Sequence, residues 1–168
     1  MAGKLKIRLA TVDDAEAVVA HFKRLGKDDH PGILQGIKHP TVEEMVDFIN
    51  ERQGAFGYVI VLVDNDGIQG GASIKVGKAP HRDHCGEVGI ALEPKVRGRG
   101  FGTAMMQKLH EWAREQPNIE RIQLEVFSTN PMAQKLYERL GYVQEGRRLN
   151  AIKQGEKRID MIQMSMPI

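Results

Sequence analysis

The sequence has few of the features that would take it outside ordinary globular proteins. Cys85 is the only cysteine among 168 residues, so an internal disulfide is excluded and a reducing compartment is favoured. The longest apolar run, Tyr58 to Val63, is far too short to cross a bilayer. The residues after Met1 lack the hydrophobic segment of a signal peptide. We therefore expect a soluble, cytoplasmic protein with no membrane partner.

An excess of charge of one sign is also missing. The sequence has 24 lysines and arginines and 22 acidic residues, a formal net charge of +2, which is too small to predict a nucleic-acid partner. Four histidines fall in predicted loops, but their spacing matches no compact ligand set, so no metal is expected; they are His30, His39, His81 and His84. Without a repeat or a linker, residues 1–168 are predicted to form a single domain.

Hydrophobic periodicity predicts a mixed α+β fold in the order β-α-α-β-β-β-α-β-α-β-β. The predicted strands are residues 4–9, 58–63, 68–76, 88–92, 122–127, 142–149 and 157–166. Helices are predicted to follow Thr11, Thr41 and Asn130, which are side chains suited to N-caps, and to follow the glycine-rich stretch near residue 100. Two β-α units in the second half predict some parallel pairing within a largely antiparallel sheet.

The glycine-rich stretch lies between a predicted strand and a predicted helix. Free amides at a helix N-terminus bind anions, and glycines let an oxygen-rich group approach the backbone. Arg97 and Arg99 would add charge for a phosphate. The stretch lacks the lysine of a P-loop, and its glycine spacing differs from G-x-G-x-x-G. The glycines are Gly98, Gly100 and Gly102.

In this context the stretch from Arg97 to Gly102 resembles the R/Q-x-x-G-x-G/A pyrophosphate loop of the GNAT superfamily, the acyl-CoA N-acyltransferases. A second segment carries Asn130 after a predicted strand and then Tyr137 and Gly141-Tyr142. It resembles that family's motif of strand, Asn, helix and Y-x-x-x-G-F/Y. The resemblance covers essentially the full chain. Within the superfamily it is to the branch of ribosomal-protein alanine and free amino-acid N-acetyltransferases.

The resemblance implies acetyl-CoA as the co-substrate and a role for each matching residue. The backbone of Ile90, Ala91 and Leu92 would pair with the pantetheine arm like an added strand. Asn130 would bond the pantetheine or the acetyl end, and Tyr137 would protonate the departing thiolate. The residues implied to hold the pyrophosphate are Arg97, Gly98, Arg99, Gly100, Phe101, Gly102 and Thr103.

The base that would accept the amine proton has two candidates. Glu87 precedes the predicted cofactor strand, where several small-molecule acetyltransferases of the family carry a catalytic glutamate. Glu125 lies five residues before Asn130, where protein N-terminal acetyltransferases carry theirs. Either carboxylate could act through a water. An α-amine with a pKa near ~7.8 needs only a weak base, and we favour Glu87.

Three functions follow from these expectations. The leading one is N-acetylation of a small primary amine, such as a free amino acid, by direct attack in a ternary complex. The second is acetylation of a peptide N-terminus, which Glu125 favours. The third is a regulatory domain that binds acyl-CoA without turnover. The resemblance also implies that a homodimer is possible, and that residues 26–40 and the last predicted hairpin line the acceptor pocket.

Overall fold

A computed structural model describes residues 4–168. The helices are α1 (Ala15–Leu25), α2 (Val42–Glu51), α3 (Phe101–Glu115) and α4 (Pro131–Arg139). The strands are β1 (Lys6–Leu9), β2 (Gly57–Asp64), β3 (Gly67–Val76), β4 (Cys85–Leu92), β5 (Arg121–Phe127), β6 (Val143–Gln154) and β7 (Lys157–Pro167). The predicted fold class and element order are confirmed. None of these helices is long and apolar enough to span a membrane.

The seven strands form one mixed sheet in the order β1-β2-β3-β4-β5-β7-β6. Among the strand pairs within residues 4–168, β4–β5 is the parallel one. The connection through α3 therefore produces adjacent parallel strands. The connection through α4 does not, because β7 lies between β5 and β6. Of the two β-α units in the sequence, one gives the expected parallel pairing.

The parallel pair opens into a gap. β4 and β5 are in register only where Cys85, Gly86 and Glu87 face the start of β5. From Val88 onward β4 keeps its antiparallel partner β3 and has no strand on its other side. An unpaired strand edge leaves backbone N–H and C=O groups available for another partner. The gap therefore provides a place where an extended ligand could add to the sheet.

Two apolar layers cover the two faces of the sheet. One core packs α3 against the central strands, with Met105, Met106 and Leu109 fully buried. The other packs α1 and α2 against β2 and includes Val19 and Ile49. The continuous apolar run of β2 contributes side chains to both cores, because successive side chains of a strand point to opposite faces of the sheet.

Two predicted helix starts are confirmed in their bonding. At α2 the Glu44 backbone N–H donates to Thr41 Oγ1 at 3.1 Å, and Glu44 Oε2 accepts from the Thr41 N–H at 2.8 Å. At α4 the Ala133 N–H donates to Asn130 Oδ1 at 3.2 Å. Such caps satisfy amides that the helix itself leaves free. The second cap also fixes Asn130 at the mouth of the gap.

Candidate active site

A cavity of about 440 Å³ lies at the gap between β4 and β5. It is lined by the end of β4, the glycine-rich loop and the first turns of α4. Of the residues that the sequence associated with acetyl-CoA, ten line it: Ile90, Ala91, Leu92, Arg97, Gly98, Gly100, Gly102, Thr103, Asn130 and Tyr137. The fold thus collects segments more than 40 residues apart around one space.

The loop before α3 has the backbone geometry of an anion site. Gly98 and Gly100 have φ angles of 68° and 84°, in the left-handed region that favours glycine. A Cβ built on either residue would meet nothing within 4 Å, so a ligand could approach the backbone closely. No side chain caps α3 at Gly100. Its first amides and the positive end of the helix dipole suit the diphosphate of coenzyme A.

The two arginines of the loop are positioned differently from each other. Arg97 lines the cavity, but its Nε donates to the Leu92 carbonyl at 2.9 Å, and its Nη2 lies 2.5 Å from Asp28 Oδ2. Its charge is therefore shared with a carboxylate of the α1–α2 loop. Arg99 is exposed, stacks its guanidinium 5.5 Å from the ring centroid of Phe101 and does not line the cavity. At this cavity the loop offers its backbone amides as donors, and Arg99 does not contribute its side chain.

Tyr137 brings a buried hydroxyl-bearing ring to the cavity. Its side chain follows the apolar stripe of α4, is 7% exposed, and packs edge-on against Tyr142 at 5.8 Å between centroids. Burial raises the pKa of Tyr137 to about 12, because an apolar environment disfavours the phenolate. The group therefore stays protonated at neutral pH and can donate a hydrogen bond into the cavity.

The loop between α1 and α2 covers the other side of Asn130. Thr129 Oγ1 donates to the Pro31 carbonyl at 2.8 Å. A Cβ on Gly32 would lie 2.2 Å from Asn130 Nδ2, so a larger residue at position 32 would have to displace the Asn130 amide. His30 and Ile33 also line the cavity. His30, Gly32 and Ile33 thus bring part of the segment 26–40 to this cavity, and the expectation that the segment lines the acceptor pocket stays a prediction.

The two candidate carboxylates lie outside this cavity. Glu87 is exposed and lines a separate pocket that contains Lys75, Lys78 and Arg82. It is four residues from Ala91 along the strand, or roughly 13 Å. Glu125 is exposed and forms an ion pair with Arg148 of β6. The structure therefore brings together ten of the twelve predicted cofactor residues, without Arg99 and Phe101, and does not bring the predicted bases to the same cavity.

A second cavity, of about 210 Å³, lies between the sheet and the helices α1 and α2. Its lining is almost entirely apolar, apart from His21 and Ser73. His21 is 1% exposed, and its Nδ1 lies 2.9 Å from Glu93 Oε1. The same oxygen accepts from Arg24 Nε at 2.8 Å. The sequence analysis did not single out His21 or Glu93, although His21 falls three residues after Val18 on the buried side of α1.

The electrostatics of His21 favour its neutral form. Burial lowers the pKa of His21 and outweighs the opposing effect of the Glu93 carboxylate. With Nδ1–H donating to Glu93, the neutral ring presents Nε2 as an acceptor. Within residues 4–168 the buried Nε2 forms no hydrogen bond, although the Ala91 backbone lies close enough to the ring to raise its pKa, as the smallest of the effects on it. Within residues 4–168, no group of three or more His, Cys, Asp or Glu side chains is arranged to hold a metal ion.

Comparison with known proteins agrees with this architecture. The sequence profile described as the acetyltransferase (GNAT) family matches residues 7–142. The chain belongs to this family, as the resemblance of its two motifs to the GNAT superfamily predicted. It is 28% identical over 121 residues to the L-amino acid N-acetyltransferase AaaT of Escherichia coli (strain K12), covering 71% of this chain and 74% of that protein.

Two solved structures show the same fold over almost the full chain. The acetyltransferase of the GNAT family from Streptococcus pneumoniae superposes with a TM-score of 0.88 at 29% identity, covering 98% of this chain and 99% of that one. The ribosomal-protein-alanine N-acetyltransferase from Brucella melitensis gives a TM-score of 0.84 at 20% identity, covering 97% and 99% of the two chains. This protein is therefore a GNAT acetyltransferase by sequence and by fold.

Proposed function

We propose that this protein transfers the acetyl group of acetyl-CoA to the primary amine of a small molecule such as a free amino acid. The observation that carries the proposal is the cavity at the strand gap, which joins an anion-binding loop at one end to Tyr137 and Asn130 at the other. The similarity to an L-amino acid N-acetyltransferase supports the choice of acceptor class. A cytoplasmic location and a homodimer stay predictions from the sequence and the resemblance.

The residues of the cavity divide the binding work by position. The loop from Gly98 to Thr103 offers backbone amides and a helix dipole to a diphosphate. The free edge of β4 at Ile90 and Leu92 offers peptide groups to an amide-containing arm. Asn130 Oδ1 accepts the cap hydrogen bond, and its Nδ2, which lies against Gly32 at the cavity wall, is the donor that it would offer to a ligand. Bound along this path, acetyl-CoA would supply an activated acetyl group.

Tyr137 would serve the leaving sulfur. A thiol has a pKa near ~8.5, so a thiolate is a moderate leaving group and one hydrogen bond lowers its cost. Because its pKa is raised to about 12, Tyr137 acts mainly as a hydrogen-bond donor. Full transfer of its proton to sulfur would be uphill. Asn130 and the β4 amides would orient the reacting carbonyl, which is how positioning accelerates a reaction between two bound partners.

A panel of acceptors tests the proposal. Free amino acids and peptides with the same N-terminal residues are compared, with thiol release as the readout. We expect turnover of free amino acids to exceed that of the peptides. Turnover of peptides alone would favour the second candidate, acetylation of peptide N-termini. Tight binding of acetyl-CoA without turnover of any amine would favour a regulatory domain instead.

The two carboxylates are tested in the same assay with Glu87→Gln and Glu125→Gln. Neither lines the cavity at the gap, so we expect each substitution to change kcat less than threefold, against the ~10²-fold or greater loss that removal of a general base produces. A loss of that size in Glu87→Gln would instead support the carboxylate that the sequence favours. Retained thermal stability of both variants serves as the control for folding.

A further inference from the structure

The two cavities meet at one short segment of β4. Ile90 and Ala91 line both the cavity at the strand gap and the apolar cavity under α1 and α2. Alternate residues of a strand face opposite sides of a sheet. An acetyl group held beside these residues would therefore be reachable from the apolar cavity.

The apolar cavity exists because its floor lacks side-chain volume. On the face of the sheet toward α1 and α2, β3 and β4 present Gly71, Ser73, Gly89 and Ala91. The helices above present larger side chains, among them Phe22, Met45 and Phe48. A space between large apolar side chains and a floor of small residues fits an apolar substituent better than a charged one.

Within residues 4–168, one polar atom at this apolar space forms no hydrogen bond, although the Ala91 backbone lies near it. His21 lines the cavity, and its Nε2 is the atom left unpaired when Nδ1 is bonded to Glu93. A buried polar atom without a hydrogen bond costs stability. Such an atom is therefore explained if a ligand supplies the missing donor. An amine N–H is such a donor.

The charged groups around His21 are few. Glu93, just after β4, and Arg24, on α1, contact each other beside the imidazole. From α2 and β2 only apolar residues face the cavity, for example Met45, Phe48 and Val61. The Arg24 guanidinium also donates to the Ile68 carbonyl at 2.8 Å, which fixes the carboxylate that holds His21. Glu93 is thus a positioning residue for the ring.

We propose that the apolar cavity binds the apolar substituent of the acceptor amine and that His21 Nε2 accepts the proton of its attacking nitrogen. The inference rests on the proposed function and narrows the acceptor to amines with an apolar side chain. In the step, a C–N bond forms at the thioester carbonyl carbon and the C–S bond breaks. The nitrogen proton passes to His21 Nε2 and from there to solvent, while the sulfur leaves as a thiolate that accepts a hydrogen bond from Tyr137 and takes up one proton from solvent. One proton lost and one gained leave the reaction balanced.

The cavity is tested by filling it with Gly89→Val. A Cβ at Gly89 would meet nothing within 4 Å, and valine suits a strand, so the variant is expected to fold. We expect kcat/KM for leucine or phenylalanine to fall at least tenfold and kcat/KM for glycine to change less than threefold, since pocket volume decides between apolar substituents. Equal losses for all acceptors, or no loss, would overturn the assignment of the cavity.

The base is tested with two replacements of different shape. In His21→Asn the amide can still donate to Glu93, but the acceptor at the Nε2 position is lost. In His21→Gln an acceptor is kept there, but it cannot take up a proton. We expect both variants to lose kcat by about 100-fold, with KM raised only in His21→Asn. Loss of the acidic limb of the pH profile of kcat is expected in both.

Positioning by Glu93 is tested with Glu93→Gln, which keeps the shape and removes the charge. We expect a smaller fall in kcat, about tenfold, and an acidic limb displaced to lower pH. Val19→Ala is the control, because Val19 is buried on α1, the helix that carries His21, but does not line the cavity. It should lower the melting temperature with kcat unchanged.

The failure of this inference differs from the failure of the proposed function. If the native protein acetylates no amine although it binds acetyl-CoA, the proposed function is wrong. If it acetylates amines without a preference for apolar side chains, and His21→Asn keeps normal kcat, only the present inference is wrong. A larger loss in Glu87→Gln than in His21→Asn would also overturn the role of His21.

Discussion

At the scale of single residues, the environment decides what each side chain can do. Tyr137 is buried and Tyr58 is half-buried. Tyr137 lines the cavity at the strand gap, whereas the ring of Tyr58 stacks on Trp112 with 5.8 Å between the ring centroids. The sequence identified Tyr137 through its spacing from Asn130 and Gly141. Its buried state and the resulting high pKa come from the helix packing.

Removing the hydroxyl of Tyr137 tests its role. We expect Tyr137→Phe to lower kcat by about 100-fold with the affinity for acetyl-CoA changed less than threefold, because the ring and its packing stay. Thiol release and calorimetry measure the two quantities. Tyr58→Phe is the control and should behave as the native protein. An unchanged kcat in Tyr137→Phe would rule out a hydrogen bond to the leaving group.

The high pKa of Tyr137 also predicts a pH dependence. The donor is the protonated hydroxyl, and deprotonation would begin only near the raised pKa of about 12. An ordinary tyrosine would lose its proton near pH ~10. We therefore expect that the kcat of the native protein does not decline between about pH 8 and 10 through deprotonation of Tyr137. Any decline in that range should be the same in Tyr137→Phe. A decline with a midpoint near 10 that requires Tyr137 would contradict the buried environment.

At the scale of elements, the loop before α3 depends on backbone conformation. Gly100 has a φ of 84° and open space at its Cβ position. A substitution to alanine would therefore be opposed by backbone strain rather than by a clash. The αL conformation costs a residue with a side chain roughly 1–2 kcal/mol. The same strain would distort the amides that face the proposed diphosphate.

We expect Gly100→Ala to lower the free energy of unfolding by about 1–2 kcal/mol and to weaken acetyl-CoA binding at least tenfold. Urea denaturation and calorimetry measure these changes. Lys108→Ala, on the exposed side of the same helix, is the control and should stay within about 0.5 kcal/mol of the native protein. Normal affinity in Gly100→Ala would show that the diphosphate binds elsewhere.

At the scale of the whole molecule, two buried histidines lie on opposite faces of the sheet. His21 lies on α1, and His110 of α3 has its Nε2 3.0 Å from the Tyr142 hydroxyl. Burial lowers the pKa of both, that of His110 to about 4. Since both folded pKa values lie below the unfolded value, the folded state favours the neutral rings. This stability is complete above about pH 6.5 and is lost as pH falls toward the folded pKa.

We therefore expect the urea midpoint to decline between about pH 6.5 and 4. His110→Gln keeps a polar group near Tyr142 but does not titrate, so it should make the decline shallower while reducing stability at pH 8. The slope of the decline between pH 6.5 and 4 reports the titration of His110, and the stability at pH 8 reports the loss of packing. A pH dependence identical to that of the native protein would show that folding does not lower the pKa of His110.

The sequence allowed much of this molecule to be predicted, for local reasons. Strand alternation, caps at Thr41 and Asn130 and the glycines before α3 are short-range patterns, and each is present as expected. The ends of the strands differ by a few residues; β6, for example, extends to Gln154. Hydrogen bonds with a neighbouring strand set such ends, and a single segment does not contain that information.

The sequence by itself determined the order of elements and the glycines before α3, because each depends on patterns within one or two adjacent elements, and the family resemblance named the residues that line the gap. Only the tertiary structure decided that β7 lies between β5 and β6, that Arg97 pairs with Asp28, and that His21 reaches Glu93. These contacts join residues 69 and 72 positions apart or require a choice of neighbouring strand. The packing of whole layers decides these contacts, because the burial of side chains and the pairing of strands depend on the complete fold.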